Sequence, residues 1–164
     1  MNNFEVNDAG NHIVAFNKLL CKSFPHHLFD PAYLLANGLL NESVENQQGR
    51  GAVKYFNFNG ISMVLRHYYR GGWPAKFVSD HYLWLGLQKT RAIQEIKILS
   101  ELQRCGLPVP EPVAAHIFKS GVNYQADIVT VCIPEAQTLS EILQIKSLEE
   151  QVWEKIGKTI RKFH

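Results

Sequence analysis

Hydrophobic and polar positions along the chain fall into an early part with strand periodicity and a later part with helical periodicity. "FEV" and "HIVAF" flank the turn-forming "NDAGN" and predict a short hairpin. From residue 17 to 46, "KLLCKSF" and "PAYLLANGLL" each suit a short helix or an apolar loop. Asn59-Gly60 then separates two alternating runs. Both central positions of a type I′ turn need positive φ, so antiparallel strands are predicted over 52–58 and 61–68, led in by Gly49-Arg50-Gly51. The aromatic stretch "WPAKFVSDHYLWLGL" predicts helix plus loop.

"TRAIQEIKILSELQRCG" predicts the clearest helix, with Ala92, Ile93, Ile96, Leu99 and Leu102 as its apolar stripe. Thr90 is its expected side-chain cap, Gly106 fits the left-handed position after it, and Pro108 forbids continuation. "PVAAHIFK" and "YQADIVTVCI" predict a second strand pair around Ser120-Gly121, ended by Pro134. Thr138-x-x-Glu141 and Ser147-x-x-Glu150 have the form of capping boxes, each opening a helix. In the second, Leu148, Val152, Ile156, Ile160 and Phe163 recur at near-helical spacing. Strands clustered early and helices late make an α+β pattern.

Charge raises the first chemical question. Alternation in 61–68 puts Ile61, Met63, Leu65 and His67 on one face and Ser62, Val64, Arg66 and Tyr68 on the other. A guanidinium does not shed its charge, so an inward Arg66 needs an anionic partner or ligand. A glycine turn between strands, a cation in the next strand and an acid on the following helix match the small lobe of a protein kinase. There the strand cation reaches the nucleotide phosphates and the helix glutamate orients it. Val64-Leu65-Arg66 falls where kinases carry Ala-x-Lys, and Glu95 sits on the helix as the counter-charge. Arginine grips phosphate through a planar fork where lysine acts as a point charge. The residues alone leave plainer alternatives open. Lys54 occupies the place of a third glycine, so Gly49-x-Gly51 is equally an ordinary turn. Glu95 is equally a surface residue beside Lys97, and Arg66 an edge residue facing water.

The chain has 164 residues and a mass of 18.7 kDa, one domain's worth or a domain with an extension. Its net charge of +2 is too small to argue for a nucleic-acid binder, and no RNP-like, KH-like or helix-turn-helix pattern is present. The distribution says more. Residues 1–45 hold two basic and five acidic residues, whereas 61–104 hold seven basic and three acidic. A basic middle suits an acidic ligand, substrate or surface, or else a solvated helix face. Cys21, Cys105 and Cys132 are odd in number and lack metal-ligand spacing, so they read as reduced thiols. No secretory signal is visible and no apolar run reaches the roughly 20 residues that span a bilayer.

The segments "GRGAVKYF", "VLRHYYRGG", "DHYLW", "TRAIQEIKILSELQRCGLPVPEPVAA" and "YQADIVTVCIPEAQTLSEIL" resemble 3-deoxy-D-manno-octulosonic acid (Kdo) kinases of the lipopolysaccharide kinase family of Gram-negative bacteria. The resemblance runs from about Gly49 to His164, and the first 45 residues share it only loosely. It implies a protein-kinase-like small lobe, an antiparallel sheet plus one long helix, followed by the first helices of the large lobe. The division it suggests is an N-terminal extension over 1–45, small lobe and hinge over 46–137, and incomplete large lobe over 138–164. The implied activity is ATP-dependent phosphorylation of the 4-hydroxyl of Kdo on a lipid A precursor, with Mg2+ accompanying the nucleotide. The implied location is peripheral, at the cytoplasmic face of the inner membrane.

By position in that family, Gly49, Arg50 and Gly51 would cover the phosphates, Arg66 would contact them and Glu95 would orient Arg66. Val131, Cys132 and Ile133 would offer backbone hydrogen bonds to the adenine. His67, Arg70, Lys76 and Arg91, around the aromatics Tyr68, Tyr69, Trp73, Tyr82 and Trp84, are candidates for the anionic acceptor. Each has a plainer role in local packing and ion pairing. In the family, the helix "WEKIGKTIRKFH" leads into a loop with the aspartate base and a metal-binding asparagine. No H-x-D-x-x-x-x-N pattern occurs in this chain, so the base and metal ligands are expected beyond His164 and residues 1–164 alone are expected to be inactive. The competing expectation is a non-catalytic remnant of the fold that binds nucleotide or a partner.

Overall fold

The computed structural model describes residues 3–41, 53–69 and 80–163. Among these residues, seven strands form one antiparallel sheet: β1 Phe4–Ala9, β2 His12–Asn17, β3 Lys54–Phe58, β4 Ile61–His67, β5 Tyr82–Leu83, β6 Pro112–Ser120 and β7 Asn123–Val131. Their order is β1-β2-β6-β7-β4-β3, with the short β5 paired to the start of β7. The helices are α1 Pro31–Ala36, α2 Arg91–Arg104, α3 Leu139–Ile145 and α4 Glu150–Arg161. This is the α+β arrangement the pattern predicts, an antiparallel sheet with one long helix followed by further helices.

The hairpins form where local chemistry demands them. Asn59 (φ 51°) and Gly60 (φ 75°) both adopt positive φ between β3 and β4, as a type I′ turn requires. Gly121 (φ 59°) turns β6 into β7, and Gly106 (φ 71°) follows α2. Three details differ from expectation. Thr90 stands at the N-cap of α2, but its hydroxyl donates backward to the Leu87 carbonyl at 2.8 Å and caps no helical N–H. Ser147 opens no capping box, because α4 starts later, after Glu149. The stretch assigned to helix and loop contributes β5, held by Tyr82 opposite Tyr124. The Thr138–Glu141 box forms in full at α3.

The sheet is covered on both faces. On one, α2 lays Ala92, Ile93, Ile96 and Leu99 against Ala115, Ile117, Ala126 and Ile128. On the other, residues 20–40 supply Cys21, Phe24, Leu28, Phe29 and Leu34 against Phe16, Phe56, Met63, Leu65 and Val129. The N-terminal residues are therefore part of the same sheet and core: β2 pairs with β6, and Leu39 to Asn41 bond along the edge of β3. Double coverage is why β6 is buried at six consecutive positions instead of alternating. No residue of α3 or α4 is buried, and Leu143, Ile145, Trp153, Ile160 and Phe163 are exposed.

Candidate active site

β4 carries the charged position into the structure. Its odd-numbered residues Met63 and Leu65 enter the core under residues 20–40, which turns Val64, Arg66 and Tyr68 toward α2. Arg66 meets Glu95, midway along α2, with Nη2 donating to Oε1 at 2.5 Å. The Tyr68 hydroxyl donates to the other oxygen, Oε2, at 2.6 Å. The guanidinium lies 5.1 Å from the Tyr68 ring centre. Burial opposes the charge on Arg66, but Glu95 and Tyr68 outweigh it and hold its pKa above the ordinary guanidinium value. With 42% of its side chain exposed, Arg66 is anchored at one end of its fork and open to solvent elsewhere.

Beside it, a cleft of about 450 Å³ opens at the ends of β3, β4 and β7. It is lined by Tyr55, Val64, Thr130, Val131, Cys132 and Ile133, with Asn41, Glu135 and Ala136 at the strand-to-helix passage. Val64 and Arg66 are two residues apart on one strand face, about 7 Å. Glu135 holds the left-handed conformation (φ 55°) where the chain leaves β7. The N–H groups of Val131 and Cys132 donate to the Glu111 and Ser62 carbonyls at 2.8 Å each.

The structure pairs Arg66 with Glu95 and puts Val131, Cys132 and Ile133 in the cleft lining, but not at the same point: Val131 lies opposite Met63, and Arg66 lies opposite Ile128, three residues further along β4. Gly49, Arg50, Gly51, Arg70, Lys76 and Trp73 lie outside the described residues. His67 is not beside Arg66: it faces the opposite side of the sheet, with Nδ1 2.6 Å from Asp127 Oδ1 and Nε2 3.5 Å from Asp80 Oδ2. Arg91, at the start of α2, places its guanidinium over the Tyr82 ring at 4.8 Å. Two features escaped the sequence. The alternation puts Tyr68 on the face of Arg66, but nothing in it signals that the hydroxyl reaches Glu95. The other is a chain of side chains across β4, β7, β6 and β2. Asp127 Oδ2 bonds His116 Nδ1 at 3.1 Å, and His116 Nε2 lies 2.9 Å from His12 Nδ1. No spacing signals it, since its members come from separate strands.

Among the described residues no group of three or more His, Cys, Asp or Glu is placed to hold a metal ion. Among them, no helix is long and apolar enough to cross a membrane.

Comparison with known proteins adds to this geometry. The family model described as Lipopolysaccharide kinase (Kdo/WaaP) family matches residues 38–164. A 3-deoxy-D-manno-octulosonic acid kinase of Vibrio parahaemolyticus is 38% identical over 154 residues, 94% of this chain and 63% of the relative. The kinase of the same name from Haemophilus influenzae is 41% identical over 126 residues, 74% of this chain and 52% of the relative. That of Photobacterium profundum is 36% identical over 154 residues, 94% and 64%. The chain spans between about half and two-thirds of the length of these relatives. No solved structure matches.

Proposed function

Because the chain belongs to the lipopolysaccharide kinase (Kdo/WaaP) family, we propose that it is the nucleotide-handling part of an ATP-dependent sugar kinase. Its acceptor is the 4-hydroxyl of Kdo on a lipid A precursor, in lipopolysaccharide inner-core biosynthesis. The observation that carries this is the Arg66–Glu95 pair beside the cleft on the same strand face as Val64.

ATP fits the residues present. Val64, its cross-strand neighbour Thr130 and Ile133 line the cleft and are assigned to seat a planar base. The N–H groups of Val131 and Cys132 are already committed, so the base edge is assigned to the Ile133 N–H. Phosphates then run toward Arg66, whose fork suits their oxygens. When bound, ATP supplies the phosphoryl group. Arg66 neutralises its charge, and Glu95 holds Arg66 in place. Catalysis of this transfer depends on positioning and charge neutralisation, so a pre-oriented cation is the chain's own contribution. Magnesium would accompany the nucleotide, and none of the described residues is assigned to hold it. Gly49, Arg50 and Gly51 are assigned to covering the phosphates, and Arg70, Lys76 and Arg91 to the anionic acceptor. His67, already tied to Asp127, is assigned at most an indirect part. The acceptor is lipid-borne, so contact with the inner-membrane surface is assigned as peripheral.

The test is calorimetric titration with ATP, alongside transfer of labelled γ-phosphate to a Kdo-bearing lipid A precursor. Arg66→Ala should weaken ATP binding at least about tenfold, as expected for a charge-assisted contact. Unchanged affinity rejects the assignment. In a protein that binds ATP, label appearing on the acceptor supports the kinase. Binding without label, in a protein that extends through the family's full length, supports the competing nucleotide-binding remnant.

A further inference from the structure

Resting on the reading of Arg66 and Glu95 as the phosphate-handling pair, we propose that Tyr68 is a positioning residue that fixes the orientation of the Glu95 carboxylate. A glutamate on a helix has a freely turning terminal torsion. One contact, to Arg66, leaves the carboxylate plane able to swing and take the guanidinium with it. Here the two oxygens are held by different donors: Oε1 by Arg66 and Oε2 by Tyr68. Tyr68 directly follows β4 and its N–H still bonds the Ala126 carbonyl at 3.0 Å, so it continues the face that Arg66 occupies two residues earlier. The Tyr68 ring also lies against the guanidinium, 5.1 Å away. Tyr68 touches both members of the pair and makes it a three-membered unit spanning β4 and α2. Burial first, then the bond to and charge of Glu95, push the phenol above its ordinary pKa, which keeps the hydroxyl protonated as a donor.

Packing alone would need only the ring. A positioning role needs the hydroxyl, and Tyr68→Phe separates them. Affinities for ATP and for adenosine are measured by calorimetry on the 164-residue chain and on Arg66→Ala, Tyr68→Phe, Glu95→Gln and the Tyr68→Phe/Glu95→Gln double variant. Tyr68→Phe should weaken ATP binding by about three- to tenfold, less than or equal to the effect of losing a charge-assisted bond outright. Adenosine affinity should not change. In the Glu95→Gln background the same change should cost under about twofold, because the carboxylate that Tyr68 orients is gone. Equal weakening of ATP and adenosine would assign Tyr68 to packing and overturn the proposal. So would full ATP affinity in Tyr68→Phe, or fully additive losses, while Arg66→Ala still weakens binding. No ATP binding by the unaltered chain, or none lost in Arg66→Ala, would overturn the pair itself and this inference with it.

Discussion

Asp127 holds two imidazoles at once, His67 on Oδ1 and His116 on Oδ2. Burial works against its negative charge, but the bonds from His116 and His67 outweigh burial and keep its pKa below the ordinary value. The bond to Asp127 in turn raises His67 above the ordinary imidazole value, against the effect of burial. The signs set a window. His67 contributes stability that is full below about pH 6.5 and is lost as pH rises through its higher folded pKa. Asp127 contributes stability that is present above about pH 3.9 and is lost as pH falls through its lower folded pKa. Asp127→Asn should therefore cost about 1–3 kcal/mol between roughly pH 4 and 6.5, with the difference narrowing on either side. Urea unfolding of both proteins across this range checks it. A pH-independent difference would mean that charge has no part in the network. At the same scale, Arg66 and Glu95 were legible because the cation stands alone on an otherwise uncharged strand face and needs a partner. Asp127 looked like any strand aspartate until the register Arg66↔Ile128, His67↔Asp127 and His116↔Asp127 set it between two histidines.

Among the elements, the β3–β4 hairpin depends on a single backbone requirement. Gly60 sits at φ 75° with nothing within 4 Å of where a Cβ would point. Gly60→Ala therefore meets no clash and its cost is conformational, about 1 kcal/mol. Thermal unfolding should show a drop of that size with the fold retained. A loss of several kcal/mol would mean that the hairpin register, not the turn, depends on Gly60. The long helix α2 was equally plain, because its apolar stripe at helical spacing is the face it buries. Its first turn was not: the Thr90 hydroxyl found a carbonyl in the preceding 3-10 turn at Leu87–Lys89. Capping patterns mark where a helix can start, while the chain before it decides which group the hydroxyl meets.

At the scale of the molecule, β4 and α2 bring the two halves of the candidate site to one sheet. Because Arg66 and Val64 belong to the strand that pairs with β7, a nucleotide held there as proposed would be coupled to the folding of the whole sheet. ATP at about a hundred times its dissociation constant should add about 2.7 kcal/mol. For a chain of this size that raises the unfolding midpoint by roughly 5–10 °C. Differential scanning fluorimetry checks it: Arg66→Ala should lose most of the shift at the same ATP concentration. A full shift in that variant would place the nucleotide elsewhere. The same scale explains the N-terminal segment. Residues 20–40 suited helix or loop alike because their apolar residues follow no period. They cover a sheet face as a 3-10 turn at His26–Phe29, the short helix α1 and connecting loops, with Leu28 and Leu34 almost wholly buried.

What the sequence by itself determined are the features whose physical cause is local. The positive-φ turn at Asn59-Gly60, the stripe and terminating glycine of α2, the strand alternation that isolates Arg66, and the capping box at Thr138 each rest on residues a few positions apart. The Arg66–Glu95 pair came close to that class, because a charge on a strand face turned toward a packed helix favours an opposite charge on that helix. What only the tertiary structure decided depends on register between distant segments. The β1–β2 hairpin joins the sheet through β6. His12, His116, Asp127 and His67 line up across four strands. Tyr68 reaches the far oxygen of Glu95, 27 residues along the chain. A strand's sequence states which residues share a face; the neighbouring strands and the helix packed on it decide what that face meets.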